Sequence, residues 1–369
     1  MKIFYVIDDY IGAGGIERVI ALKANYLVDQ GFDIGIIACR SDKTQEPFFH
    51  FDPRIRFYDL DLPSNSDKKK NRKLFLSRLN DLLRETRPDI TIAAGRKLMY
   101  HVCEASDDSK KVLETHFSKY GRKLTFARME KNLIARFFLR VYLKRLHRQI
   151  RKFDRFVVLT EEDKASWQRV GVDASTIPNP LTFLPQEHSR LDQKRIIAVG
   201  RHEYQKGFDQ LVKIWKQLAR DYPDWSLTII GEGRKKEKLR ELIEREGLTG
   251  RVELLSNTKN ISAEYLDSSI YAMTSNYEGF GMVLLEAMIC GVPTVAYSCK
   301  CGPRDLVEDG NSGFLVRLKD RRQFVERLRQ LMDDECLRHQ QGQAARERAM
   351  KYRIDAVMPR WRQLFEGLA

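Results

Sequence analysis

The chain has 369 residues, 43% of them hydrophobic and 31% charged, a globular composition that excludes intrinsic disorder, and it is long enough for two cores rather than one. Its formal charge of +14 points to a polyanionic partner, whether a phosphate-bearing ligand, an acidic membrane surface or nucleic acid. No apolar run approaches the roughly 18 residues of a membrane span, and Met1 leads straight into Lys2-Ile-Phe-Tyr-Val-Ile-Asp8, too short for a signal-peptide core.

Cys39, Cys103, Cys290, Cys299, Cys301 and Cys336 form no CxxC pair and have no histidine at zinc-ligand spacing. A reduced, cytoplasmic setting is expected, with no structural metal.

In chain order, short apolar runs alternate with amphipathic stretches, which predicts an α/β protein with parallel sheets covered by helices. Strands are expected at residues 2–8, 34–39, 90–94, 112–114 and 156–159. Helices are expected at 16–29, stopped by Gly31, and at 74–85, before Pro88. After the first strand comes Gly12-Ala-Gly-Gly-Ile-Glu-Arg18. Glu17 occupies the third glycine position of a dinucleotide fingerprint and argues against such a cofactor, while the glycines still admit a ligand close to the backbone. Asp59-Leu-Asp61 is formally a D-x-D and reads as a strand end. His116 follows the 112–114 strand, at the carboxyl end where parallel sheets place ligands.

Residues 119–152 are crowded with cations and carry Glu130 as the lone acid. Arg136, Arg140, Lys144 and Arg148 recur every fourth position as one helical stripe beside an apolar face of Phe126, Met129, Leu133, Phe137 and Val141. Such a helix reads as a membrane-surface or partner-binding element. The other reading is a solvated helix whose apolar face packs on its own domain.

Proline and charge replace periodicity over 177–193, and the domain boundary is placed there: residues 1–180, joined by a C-terminal helix at about 354–369, and residues 181–353. Strands resume at 196–199, 226–230, 252–255, 270–273 and 294–296. After the first comes Gly200-Arg-His-Glu-Tyr-Gln-Lys-Gly207, which sets two cations, Arg201 and Lys206, between turn-forming glycines where a diphosphate could lie. Charge-assisted bonds of that kind contribute about 1.5–3 kcal/mol each. Gly231-Glu-Gly233 follows the next strand. Ser275-Asn-Tyr-Glu-Gly-Phe-Gly-Met-Val-Leu-Leu-Glu286 puts Glu278 at the mouth of a helix starting near Gly281, and Glu286 one turn beyond Met282. Two acids so placed suit hydroxyls on a sugar and on a ribose, because a carboxylate accepts two hydrogen bonds. They would repel a phosphate backbone, so no nucleic-acid partner is expected.

These residues resemble the family 4 glycosyltransferases of the GT-B fold, especially bacterial enzymes that build capsular, exopolysaccharide or lipopolysaccharide chains. The likeness is most specific over residues 195–316, including Cys299-Lys-Cys-Gly-Pro-Arg304. It implies two Rossmann-like domains facing across a cleft, with the C-terminal helix packing back across the junction. It also implies a retaining transfer of a hexose from a nucleotide diphosphate-sugar, UDP-linked, to a lipid-linked or cell-surface saccharide, without metal or other cofactor.

By the same resemblance, Arg201 and Lys206 neutralise the diphosphate, Glu286 binds the ribose, and Glu278 holds sugar hydroxyls with Phe280, Gly281, Met282 and Val283. Gly14 and Gly15 close over the phosphates, assisted by Gly200, Gly231 and Gly233, and His116 lies beside the transferring sugar. Residues 255–261 form the base-binding loop, where Ser256 replaces the usual glycine and Ile261 closes the segment. With the basic helix, this implies docking at the inner face of the cytoplasmic membrane. A non-hydrolysing nucleotide-sugar epimerase and a non-catalytic anionic-lipid or nucleic-acid binding protein remain alternatives; the former needs an acid/base pair at the sugar for which the sequence carries no clear signal.

Overall fold

The computed structural model describes residues 1–12, 14–42, 44–63, 68–95, 97–119 and 133–368. They form two compact units, Met1–Thr182 with Ile354–Ala369, and Phe183–Arg353.

In the first unit the described strands are β1 (Lys2–Ile7), β2 (Asp33–Ala38), β3 (Arg56–Asp59), β4 (Ile90–Ala94), β5 (Lys110–Glu114), β6 (Arg155–Val158) and β7 (Ser175–Thr176). They make one parallel sheet in the order β3-β2-β1-β4-β5-β6-β7. Residues 3–7 of β1 are all buried, which explains the unbroken apolar run: a parallel strand covered on both faces has no solvent side. Ile3, Tyr5 and Ile7 join one core, and Phe4 and Val6 the other, by the two-residue alternation of a strand.

Helix α1 (Gly15–Asp29) and the C-terminal helix (Ile354–Glu366) cover the first face through Ile20, Ala24, Leu27, Val357, Trp361 and Phe365. The second is covered by α2 (Lys68–Thr86), a 3-10 helix (Lys97–Glu104) and α3 (Leu133–Ile150), whose Leu146 and Ile150 are buried. Helix α4 (Glu161–Gln168) starts at Thr160, whose side chain accepts a hydrogen bond from the Asp163 backbone N–H.

The second unit holds β8 (Arg195–Val199), β9 (Ser226–Ile230), β10 (Val252–Leu255), β11 (Ile270–Met273), β12 (Thr294–Tyr297) and β13 (Phe314–Val316), again parallel, in the order β10-β9-β8-β11-β12-β13. Its helices are α5 (Phe208–Trp215), α6 (Lys236–Arg245), α7 (Ile261–Leu266), α8 (Met282–Ile289), α9 (Pro303–Leu306), α10 (Arg321–Asp333) and α11 (Glu335–Met350). Strand order reverses between β8 and β11, so the crevice outside their carboxyl ends is the place for a ligand. The loops at 200–207 and 274–281 leave the sheet at that point.

Three strands escape the sequence pattern. β3 lies at a sheet edge and shows no buried residue, β7 has two residues, and β13 has three. Helix α2 starts six positions before the expected 74, in a lysine-rich turn with no apolar period to mark it. All six cysteines are free thiols. Among the described residues no helix is long and apolar enough to cross a membrane.

Candidate functional site

In the second unit three loops are fastened to one another at the carboxyl ends of β8, β9 and β11. Gly207 is left-handed, φ 63°, and a Cβ there would stand 2.3 Å from the Thr274 carbonyl oxygen. Only glycine lets the two loops lie this close. The contact is closed by Thr274 Oγ1 donating to the Gly207 carbonyl at 3.0 Å, the Asn276 N–H to the Gln205 carbonyl at 2.8 Å, and Asn276 Nδ2 to the Tyr204 carbonyl at 2.6 Å. Gly231 is packed in the same way, since a Cβ on it would stand 2.0 Å from the Gly200 carbonyl oxygen. Gly233 lies against the backbone of His202, whose N–H donates to the Glu232 carbonyl at 2.8 Å.

That fastening carries a polar chain. Lys206 Nζ donates to Glu278 Oε1 at 2.8 Å, with the two side chains 12% and 7% exposed. Ser275 Oγ donates to the same oxygen at 2.7 Å, and Gln205 Nε2 to Glu278 Oε2 at 3.4 Å. Arg201, exposed, donates from Nη2 to Gln205 Oε1 at 3.3 Å. Arg201, Lys206 and Glu278, expected from sequence, are thus brought together. Gln205 and Ser275 join them without having been anticipated, although Ser275 stands three residues before Glu278.

Helix α8 opens at Gly281, φ 98°, beside Glu278. Phe280 is buried edge-on to Tyr352 and roots the turn, while Met282 and Val283 are half-buried. Glu286 lies 3% exposed one turn along, where the Tyr265 hydroxyl of α7 is 3.4 Å from Oε2 and also donates to the Val283 carbonyl at 3.1 Å. After β10, Ser256 is exposed and its Oγ lies 3.2 Å from Lys236 Nζ. Lys236 also pairs with Glu232 at 2.7 Å, and its hydrogen bond, with that of Ser256, holds the Glu232 carboxyl below its ordinary range. Ile261 is half-buried at the first position of α7. His202 is buried against Phe208 with neither ring nitrogen hydrogen-bonded, and burial lowers its pKa, so the ring is a neutral spacer inside the loop.

Gly14, Gly15 and His116 belong to the first unit, at the carboxyl ends of β1 and β5. Gly14 is extended and exposed, and the Glu17 carboxylate turns back so far that a Cβ on Gly14 would stand 2.2 Å from it. Burial, then Asp9 and Asp8, raise the Glu17 pKa. Gly15 has open space around it. His116 is 9% exposed, with Nε2 3.3 Å from Glu114 Oε1. Glu114 itself pairs with Lys23 of α1, an ion pair with no sequence motif to announce it. Asp59 accepts from the Ser41 N–H through one oxygen and from the Asp61 N–H at 2.6 Å through the other, so it closes its own turn.

Arg136, Arg140, Lys144 and Arg148 are exposed along α3. So are Phe137 and Phe138, each 64%, with Val141 at 49% and Tyr142 at 47%. The described part of the expected apolar face, Phe137 and Val141, is therefore largely open to solvent. Phe126 and Met129 lie outside the described residues, as does the side chain of Leu133.

Comparison with known proteins bears on this geometry. The sequence model for Glycosyltransferase Family 4 matches residues 13–182, and that for Glycosyl transferases group 1 matches residues 182–348. An uncharacterized glycosyltransferase of Haemophilus influenzae is 32% identical over 98% of this chain and 99% of its own. The amylovoran biosynthesis glycosyltransferase AmsD of Erwinia amylovora is 29% identical over 98% and 99%. In fold, a crystal structure of an S. aureus TarM variant with Fondaparinux, alpha-GlcNAc-glycerol and UDP superimposes with a TM-score of 0.77 at 16% identity, over 99% of each chain. Two parallel-sheet Rossmann-like units, with both family models matched in succession, make this chain a glycosyltransferase of the GT-B fold and a member of glycosyltransferase family 4.

Proposed function

We propose that the chain transfers a hexose from a UDP-sugar to a lipid-linked or cell-surface saccharide in polysaccharide biosynthesis, retaining the anomeric configuration and using no metal. The observation that carries this reading is the group Arg201, Lys206 and Glu278 at the switch point of the second sheet, with Glu286 behind it. The bond from the anomeric carbon to the β-phosphate oxygen breaks, its electrons leaving with the nucleoside diphosphate. The acceptor oxygen bonds to the same face of that carbon, and its proton passes to a β-phosphate oxygen. No separate nucleophile is needed.

The growing negative charge falls where Arg201 and Lys206 already stand, and fixed cations of this kind take the place of a Lewis acid. Lys206 would be shared between Glu278 and the diphosphate, tying the sugar-binding acid to the leaving group. Glu286, buried and steadied by Tyr265, accepts two ribose hydroxyls.

UDP in the TarM complex and the amylovoran role of the Erwinia relative support the donor and pathway class. Titration calorimetry is expected to give binding of UDP and much weaker binding of GDP. Tight GDP binding without UDP binding overturns the base assignment. Labelled UDP-hexose is expected to yield labelled glycolipid or glycan, whereas epimerised donor without transfer would mark an epimerase.

The acceptor's lipid places the enzyme at the inner face of the cytoplasmic membrane, and α3 supplies the contact. Cations near an anionic surface contribute about 1 kcal/mol each, so four in one stripe suffice for reversible docking. The exposed Phe137, Phe138, Val141 and Tyr142 beside them suit the interfacial layer. Cosedimentation at low salt is expected to favour anionic over neutral vesicles. That preference should be lost when Arg136, Arg140, Lys144 and Arg148 are all changed to Gln; equal pelleting of wild type and variant removes this surface from the account.

A further inference from the structure

The Lys23–Glu114 pair is the most deeply buried ion pair among the described residues, with side chains 0% and 1% exposed. Taking two charges out of water costs several kcal/mol per ion, and apolar residues of similar shape often serve stability as well or better. Stability alone is therefore a poor reason for the pair, and its neighbours suggest a better one.

Lys23 has three N–H donors. Two reach the Glu114 oxygens, at 2.8 and 2.7 Å, and Nζ also stands 3.6 Å from the ring centroid of Trp361 in the C-terminal helix. That distance suits a cation over an aromatic face. The Tyr5 ring lies 5.6 Å from the same nitrogen. The Glu114 carboxylate is thus held by Lys23 of α1, whose ammonium is in turn seated over Trp361 of the C-terminal helix, and α1 is the helix that opens at Gly15.

The carboxylate in turn faces His116. Oε1 lies 3.3 Å from Nε2, which is buried, off the axis of a well-formed hydrogen bond, and without another partner. Burial lowers the His116 pKa; Glu114 opposes that shift and Lys23 adds to it, so the ring is neutral near pH 7. A neutral imidazole carries one N–H and one lone pair. A lone pair at Nε2 would face a carboxylate oxygen, whereas a proton there is attracted to it.

We propose that Lys23 and Trp361 act as positioning residues that hold Glu114 against His116, so that the imidazole keeps its proton on Nε2 and offers Nδ1 as the acceptor for a donor-sugar hydroxyl. The second half rests on the proposed place of His116 beside the transferring sugar. The first half concerns the ring alone.

Two measurements on the full chain separate the halves. In protein labelled with 15N-histidine, two-bond proton–nitrogen correlation at pH 7.5 reports the tautomer, with His116 assigned by loss of its signals in His116→Gln. The expected result is protonated Nε2 and bare Nδ1; an Nδ1–H tautomer or an imidazolium overturns the proposal. Lys23→Met/Glu114→Met keeps the shape and removes both charges. It is expected to mix the tautomers and to lower kcat roughly tenfold or more, leaving the Kd for UDP unchanged. A folded double variant with wild-type tautomer and wild-type kcat makes the pair a structural latch and overturns the proposal. Should that variant fail to fold, the wild-type tautomer still decides. Full activity in His116→Ala, with the Nε2–H tautomer confirmed in wild type, refutes the placing of His116 and leaves the tautomer assignment standing.

Discussion

Arg201→Ala and Lys206→Ala are each expected to lower kcat by roughly 10²–10³, the loss of about 2.7–4 kcal/mol that follows removal of one preorganised donor from a developing oxyanion. The reason is timing. Negative charge grows on the diphosphate as the anomeric bond breaks, so these cations act more strongly on the transition state than on the bound donor. The two variants should differ in one respect. Arg201 is exposed and touches Gln205, whereas Lys206 is the cation against the buried Glu278 carboxylate. Lys206→Ala therefore also leaves that carboxylate without its ion pair, and the double variant should lose less than the product of the single losses. Rates are to be measured at saturating donor. Near-normal kcat in both single variants would falsify the mechanism. A chelator should leave the wild-type rate unchanged, and rescue by added metal would count against the metal-free account.

Much of the fold was legible because strands buried on both faces must be apolar at nearly every position. Residues 2–7, 90–94, 196–199 and 270–273 stand out for that reason. What escaped lacked that constraint. β3 at the sheet edge needs no apolar run, and strands of two or three residues are too short to show a period. The lysine-rich start of α2 gives no amphipathic mark.

The second unit's site was legible where chemistry sits close in sequence to a glycine. A Cβ on Gly207 or Gly231 would stand 2.3 or 2.0 Å from a neighbouring carbonyl oxygen, so the loops bearing Arg201 and Lys206 carry a steric signature as well as a charge. Partnerships were harder to see. Lys206 and Glu278 are 72 positions apart, and Lys23 and Glu114 are 91 apart, because each pair joins different strand–helix units. One clue to the latter was available: Lys23 lies among Val19, Ile20, Ala24 and Leu27, on the face of α1 that an amphipathic helix buries. A lysine there needs an anion. For α3, the basic amphipathic pattern favoured a membrane-surface element over a face packed on the domain, and Phe137, Phe138, Val141 and Tyr142 are exposed.

Glu278→Gln and Glu286→Gln are expected to part company, the first in turnover and the second in nucleotide affinity. Glu278 is held from three sides, by Lys206, Ser275 and Gln205, in the group that also includes Arg201. Changing it to Gln keeps the shape but replaces one oxygen with an NH2 that would point a donor at the Lys206 ammonium or the Ser275 hydroxyl. The sugar hydroxyls lose their acceptor and Lys206 loses its anchor together, so kcat should fall by roughly 10². UDP, which lacks the sugar, should bind nearly as before. Glu286 sits one turn into α8 with the Tyr265 hydroxyl beside it. Its loss removes charge-assisted bonds to the ribose, worth about 1.5–3 kcal/mol, which is roughly a 10- to 150-fold rise in the Kd of UDP. At saturating donor its kcat should stay within a few-fold of wild type. Calorimetry with UDP and steady-state rates on the same preparations test both. Equal weakening of UDP binding in the two variants would mean that both acids serve the nucleotide, leaving the sugar without an assigned acceptor in the second unit.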